Sequence, residues 1–582
     1  MVEPPDAART EAGERKADDS PRQAVPQGLR SAWLPPAVFA LFAVLASWPL
    51  VTHLGSALPQ GSESSGTVPL FNLWTLEWNA VQLAEGYATY WDAPIFHPVT
   101  GTFAFSDPQP LTGVVFALLR WLVGSGVVAY NLVVLTALWL NGWSAFRLVE
   151  AIGLTRGAAF LAGGFAVCLP YVAEEQGVLQ LLMLFPLFFS LGAIEALARA
   201  PSWRVGAELG LWLAVTALTS SYYAVYSMLL LPLVALIRIG GRSLITRSRV
   251  SAMVLAGVVA GALVAVPVTG QLRHQGGEAR SLRSVLKSAG HPGDFIHLAP
   301  PTWGAKWSPW LSVRVEGAKH DLYPGTGLLV LGLCGLVAAK RDRRFRRWGQ
   351  AAGAGALAAA VLVVAPRIEL LDFRPWEWVR DVVPGLSRMR NSHRFGAYLD
   401  CFLVVSSGLG ATWLWAKGRS ARIGLCAIAL YGLLEVQAWP IKLHHLGRHA
   451  PDEEWIELVE ERPGPVAMIP FARPGKSKYY EQTVRWMFST LAHRQPLLNG
   501  YSGYFPPSHR ELRRTALSFP QSPAIRALRE AGARTLVVDR KWLESEPQRN
   551  VDLAKAIQFD GLTVVAVGPS YLVLGFREAT GS

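Results

Sequence analysis

A chain of 582 residues that is 51% hydrophobic and only 17% charged, with its apolar residues in long blocks, reads as a polytopic membrane protein rather than a soluble domain. The formal net charge of +13 does not point to nucleic acid, because many Lys and Arg residues stand in short clusters between apolar blocks, where cytoplasmic loops carry them. Cys168, Cys334, Cys401 and Cys426 lie in or beside apolar segments without metal-ligand spacing, so a disulfide-stapled extracellular fold is not indicated.

Residues 1–30 are polar and too long and acidic for the leading region of a cleaved signal peptide, and are read as a disordered cytoplasmic tail. The first apolar run, Trp33 to Val51, is read as a retained anchor. Further spans are expected at Val127 to Leu148, Ala158 to Val172, Val178 to Ala198, Gly206 to Ser220, Tyr223 to Ile239 and Val250 to Val268. Four more follow at Gly325 to Ala339, Ala351 to Val364, Phe395 to Trp415 and Ile423 to Val436, about 11 transmembrane helices in all. With the amino terminus inside, the short basic clusters from Arg147 to Arg156, Arg199 to Arg204, Arg238 to Arg249, Lys340 to Arg347 and Lys417 to Arg422 fall on one face. The apolar stretch Pro110 to Gly124 would invert that pattern if it spanned, so it is placed as a helix in the outer interface, with Arg120 snorkelling to headgroups.

The expected organisation is a membrane domain, residues 31–437, with outer loops 52–126, 269–324 and 369–394, and an extracytoplasmic carboxyl-terminal domain, residues 438–582. That tail mixes helix-like stretches, PDEEWIELVEE and SPAIRALREAG, with strand-like VAMIPF, RTLVVD, LTVVAV and YLVLGF, as in a small α/β or α+β domain.

From Val51 to Pro110 there is no Lys or Arg, whereas Glu63, Glu77, Glu85, Asp92 and Asp107 are present. Carboxylates among aromatic side chains at a membrane surface suit an amphipathic sugar-bearing ligand. Asp107, just before the interfacial helix, is the leading candidate base, with the helix cap as its plain alternative. Asp92 in YWDAP and Glu77, flanked by Trp74 and Trp78, are companion catalytic candidates, against a turn and a solvated position respectively. Trp78, Trp91 and His97 are candidate substrate contacts. Glu174 and Glu175, next to hydrocarbon, should face water or a cavity. Arg388, Arg390 and Arg394 in RMRNSHRF defy the positive-inside trend and suit a phosphate at headgroup level, with simple pairing to headgroups or to acids of the outer domain as the alternative. His320, Asp321 and Tyr323 in KHDLYPG are placed to close over a headgroup, with ordinary loop positions as the alternative.

The segments WDAPIFHPVTGTFAFSDPQPLTG, VVAYNLVVLTALWLNGWSAFRLVEAIGLTRGAAFLAGG, DLYPGTGLLVLGLCGL and VPGLSRMRNSHRF resemble bacterial membrane glycosyltransferases of the GT-C superfamily, more narrowly a YfhO-like, multi-span glycosyltransferase-like branch. The resemblance implies an α-helical polytopic fold on the cytoplasmic (inner) membrane and transfer of a sugar from a polyprenyl-phosphate donor to an envelope glycan, lipid or protein acceptor. It also implies an outer-loop carboxylate acting as base or as ligand to a divalent cation, Mg2+ or Mn2+. Where the branch often has an acid ahead of Asn-Leu-Trp, this chain has Thr67 and Val68, and Asp107 is the acid that carries over. A lipid-linked precursor flippase and a non-catalytic envelope assembly protein on the same scaffold are the alternatives.

Overall fold

The computed structural model describes residues 30–275, 279–447 and 453–577. The expected amino-terminal tail lies outside them except for Arg30. Each of the eleven expected runs carries a helix, and among the described residues seven segments are long and apolar enough to cross a membrane: Gly126–Ile152, Arg156–Gly177, Leu179–Arg199, Ser221–Ile239, Arg247–His274, Arg343–Arg367 and Ser392–Trp415. The chain is a multi-pass helical membrane protein. The helix at Pro110–Val123 has 14 residues, about 21 Å at 1.5 Å per residue, well short of a hydrocarbon core of about 30 Å. Arg120 at its far end is not free to snorkel: its Nε lies 2.7 Å from the Glu77 carboxylate.

Burial separates the centre of the bundle from its rim. The most apolar window of Ser392–Trp415 is 83% buried, that of Arg247–His274 only 11%, so the second presents nearly all its surface to lipid. The central helix meets Thr326–Arg341 at backbone distance. A Cβ on Gly335 would collide with the Ser406 carbonyl and one on Gly410 with the Leu331 carbonyl, the close approach that small residues permit where no hydrophobic force draws helices together.

The basic clusters gather at one end of the bundle and close helix ends there. Arg199 reaches the Ile152 carbonyl (3.0 Å), Arg249 the Ala198 carbonyl (2.8 Å), Arg347 the Ile239 carbonyl (2.6 Å), and Arg344 the Gly153 carbonyl. At their centre the buried Glu195 accepts from Arg238 (2.7 and 2.9 Å) and from the Trp348 indole (2.8 Å), and pairs with Arg199. A cation near a helix carboxyl terminus satisfies orphan carbonyls and complements the dipole.

At the opposite end, β1 (Ala57–Pro59) pairs antiparallel with β2 (Leu443–His445), tying the loop after the first helix to the start of the tail. The tail then forms a four-stranded sheet from β3 (Val466–Ile469), β4 (Thr535–Asp539), β5 (Leu562–Val567) and β6 (Tyr571–Phe576), ordered β3-β4-β6-β5, with β3 and β4 parallel and the rest antiparallel. Alternation explains why β3 and all but the last residue of β4 and β6 are buried. Ala467, Ile469, Leu536 and Val538 meet the helices Ser522–Glu530 and Pro547–Phe559, whereas Val466, Met468 and Val537 meet Trp455, Val459 and Trp486 on the other face. The tail is not separate from the membrane part. Val484 and Met487 of the helix Glu481–His493 belong to the same hydrophobic cluster as the bundle, and the chain at 497–499 exchanges backbone hydrogen bonds with Pro94, Phe96 and His97.

Glu195→Ala would leave Arg238 and Arg199 without their carboxylate, at a cost of about 3 kcal/mol for an uncompensated, largely buried charge. A clearly lowered thermal midpoint in detergent is expected; an unchanged midpoint would show that the cluster does not hold the helix ends together.

Candidate functional site

The site is built where three short segments leave the bundle opposite the basic end. The first is the loop Gln60–Ser65. Ser62 N–H donates to the Glu174 carbonyl (2.8 Å), and Gly61, at φ +56°, lies so close to residues 174–177 that a Cβ would strike the Glu174 carbonyl. Gly177 is pressed equally against the Gln60 carbonyl and the Glu63 side chain. These two glycines seat Glu63 beside Glu175. Its carboxyl is half-buried, and burial, followed by the charge of Glu175, pushes it up to about 7 against the opposing pull of Arg394 and Lys442.

The second segment carries Asp107. It does not cap the interfacial helix, whose first turn follows Gln109 in a left-handed conformation. It accepts instead from the backbone N–H and the hydroxyl of Ser221, both at 3.0 Å, and so closes the start of the spanning helix Ser221–Ile239. Burial pushes this carboxyl up to about 6, while the Ser221 hydrogen bonds and the charge of Arg394 pull it down. Asp107 lines a narrow cleft with Phe71, Trp74, Phe103, Ser106 and Ser502.

The third segment carries Arg394 at the start of the central helix. Its guanidinium stands 4.4 Å over the Tyr222 ring, and its Nε is out of solvent with no hydrogen-bond partner. No carboxylate lies within ion-pair distance of it among the described residues, yet its charge acts on Glu63, Asp107 and Glu175 alike. A half-buried guanidinium within electrostatic reach of three carboxylates, with an unbonded Nε, is a ready anion position. Arg390 is exposed near Tyr501, whereas Arg388 is spent on the Gln275 side chain (2.9 Å). The sequence reading did not single out Tyr222, under the Arg394 guanidinium, or Tyr501, near Glu63 and Arg390.

Other expected residues are placed elsewhere. Glu77 is engaged by Arg120, and Asp92 is an exposed loop clasp accepting from Gly101 N–H (2.7 Å). Neither joins Asp107, because each already has a local structural partner. Trp78 is core: it stacks on Trp74 and donates to the Tyr90 carbonyl (3.0 Å). Trp91 stacks on His274, and His97 faces Gly532 of the tail. Glu174 accepts from the Asp321 backbone N–H and lies near Arg314. Asp321 is taken up by His297 and by Arg314 (2.8 Å), and the Tyr323 hydroxyl by Thr326 (2.9 Å). His320 does reach the site's edge. Its ring stacks on His393 at 3.7 Å, and burial, then the neighbouring His393, pushes it down to about 2. His393 in turn lies 3.7 Å from Glu175. No group of three or more His, Cys, Asp or Glu side chains with metal-binding geometry occurs among the described residues.

The raised Glu63 carboxyl has a thermodynamic signature. Its ionised form is disfavoured in the folded state, so its contribution to stability is most favourable below the ordinary carboxyl value of 4.5 and is lost as pH rises through about 7. Glu63→Gln should therefore melt above the wild type at pH 8, with the difference vanishing at pH 4.5; a difference independent of pH would contradict the buried placement.

Comparison with known proteins bears on the fold. Arabinofuranosyltransferase AftD from Mycobacteria superposes with a TM-score of 0.54 at 16% identity over 94% of this chain, which spans 40% of AftD's length. The oligosaccharyltransferase AglB of Archaeoglobus fulgidus, solved with an inhibitory peptide and a dolichol-phosphate, gives 0.47 at 10% identity over 90% of this chain and 71% of its own. ArnT of Cupriavidus metallidurans, bound to undecaprenyl phosphate, gives 0.45 at 15% identity over 94% of this chain and 98% of its own. No curated protein matches. The fold is GT-C-like, as the sequence resemblance implies, without singling out the YfhO-like branch. The family described as a domain of unknown function, DUF6311, matches residues 78–442, and the chain belongs to that family.

Proposed function

We propose that the protein is a membrane glycosyltransferase that moves a sugar from a polyprenyl-phosphate donor to an acceptor hydroxyl at the end of the bundle where the cleft opens. The observation that carries this reading is Arg394, a half-buried guanidinium with an unbonded Nε whose charge acts on Glu63, Asp107 and Glu175. The AftD-like fold supports it at the level of architecture alone.

The donor phosphate lies against Arg394, with Arg390 at the mouth, and the prenyl chain runs into the lipid beside the bundle. Glu63 is the base. Its carboxyl is held near neutrality and makes no side-chain hydrogen bond among the described residues, whereas both oxygens of Asp107 are occupied by Ser221. As the acceptor oxygen attacks the anomeric carbon, its proton passes to Glu63. The bond from that carbon to the phosphate oxygen breaks, and the charge left on the departing phosphate is met by Arg394. Asp107 then serves to orient the start of the Ser221–Ile239 helix and the wall of the cleft. Attack opposite the leaving phosphate inverts the anomeric centre. No step requires a divalent cation, although the paired Glu63 and Glu175 present carboxylates to one. The acceptor is an envelope glycan, lipid or protein hydroxyl, and the site faces outward from the cytoplasmic membrane.

Membranes containing the wild type should transfer radiolabelled sugar from at least one of a panel of polyprenyl-phosphate sugars. Glu63→Gln should lower the rate roughly 10²- to 10⁴-fold, the usual worth of a general base. Asp107→Asn should lose less, and Glu77→Gln or Asp92→Asn little. Full transfer by Glu63→Gln would remove the base, and a well-expressed wild type that moves no label from any donor would overturn the transferase reading.

A further inference from the structure

Between Val364 and Ser392 the chain makes an excursion that begins and ends at one depth, since the Ser392 hydroxyl donates to the Val363 carbonyl at 2.7 Å. It leaves the span Arg343–Arg367 at the site end of the bundle and returns as the start of the central span. Arg367 fixes its base by donating to the Gly290 carbonyl (2.9 Å).

The tip is a tight turn. Leu370 and Phe373 exchange both backbone hydrogen bonds (2.8 and 2.9 Å), and the two residues between them, Leu371 and Asp372, have φ of +48° and +64°. Such a turn is normally built from Asn, Asp and Gly, because a side chain with bulk at Cβ is strained there. Asp372 fits that chemistry; Leu371 does not. Leu371 is also completely exposed at 102%, so it recovers nothing by packing within the chain. The following helix, Pro375–Val382, buries Trp376 against the bundle and leaves two neighbouring stripes outside. One is apolar, Trp378 (64% exposed) and Val382 (59%); the other is acidic, Glu377 and Asp381.

We propose that this elbow inserts its apolar side, Leu371, Phe373, Trp378 and Val382, into the adjoining membrane leaflet. Continuity selects lipid as the occupant. Leu357 and Val361, exposed on the span that feeds the elbow, already face the hydrocarbon, and both ends of the excursion stand at the edge of a span. Trp378 is the residue type favoured at the boundary between hydrocarbon and headgroups. The acidic stripe would face water. The segment immediately after the elbow carries Arg388, Arg390 and Arg394, so an embedded elbow fixes those arginines at headgroup level whether or not the protein is a transferase.

Single cysteines at 371, 373, 378, 382, 377 and 381 in the full chain, with Cys426→Ser, would be nitroxide-labelled in bilayers of phosphatidylethanolamine and phosphatidylglycerol. Collision rates would then be measured with oxygen, which concentrates in lipid, and with a water-soluble nickel chelate. Oxygen-dominated collisions at 371, 373, 378 and 382, with chelate-dominated collisions at 377 and 381, are expected. Chelate-dominated collisions at all six positions would place the elbow in water. Protection of the four apolar positions from both reagents would mean a protein occupant. Either result overturns the proposal.

Discussion

A half-buried guanidinium whose Nε is out of solvent, with no carboxylate in contact among the described residues, is the constraint on which the site depends. Desolvating an ion costs on the order of several kcal/mol, and the cost is recovered only through nearby opposite charge or a bound anion. Arg394 receives a partial return from the Tyr222 face and from Glu63, Asp107 and Glu175, none of which closes to an ion pair. Conversely, Arg394 offsets part of the cost of burying carboxylates there. Glu63 and Asp107 are raised only to about 7 and 6, which leaves them titrating in the range where a proton is readily exchanged.

This arrangement survives because the elements bearing it are held independently. The Ser221–Ile239 helix begins at Asp107, the central helix is locked by Gly335 and Gly410, and the Glu63 loop is pinned by Gly61 and Gly177. The carboxyl-terminal segment roofs the same space. Trp74 donates to the Met487 carbonyl (3.0 Å), Gly66 N–H to Glu481 (3.0 Å), and Arg280 to the Gly503 carbonyl (2.8 Å).

Much of the scaffold was legible because membrane burial writes itself into composition. The long apolar runs marked the helices, the Arg clusters marked one end, and the short apolar runs VAMIPF, RTLVVD and YLVLGF marked strands, which the structure buries on both faces. Arg394 was legible as a cation on the wrong side of the charge pattern. Asp107 reads in the sequence as standing at the amino end of the interfacial helix, whereas the helix it closes begins 114 residues later, a pairing that spacing cannot reveal. Glu63 was passed over because GSESSG reads as a polar loop and gains its environment only through glycine contacts with residues 174–177. Its one local signal was being the first acid after the first span, in a stretch without Lys or Arg. Glu77 and Asp92 show the converse: the structure gives each a local partner, Arg120 and the Gly101 amide, that their sequence context does not announce.

The most direct test of the account is a structure of the full chain in lipid nanodiscs with a polyprenyl phosphate. The account predicts density for the phosphate against the Arg394 guanidinium, within reach of Glu63, with the chain leaving between the spans into lipid. A phosphate bound elsewhere, with Arg394 still unpartnered, would contradict it.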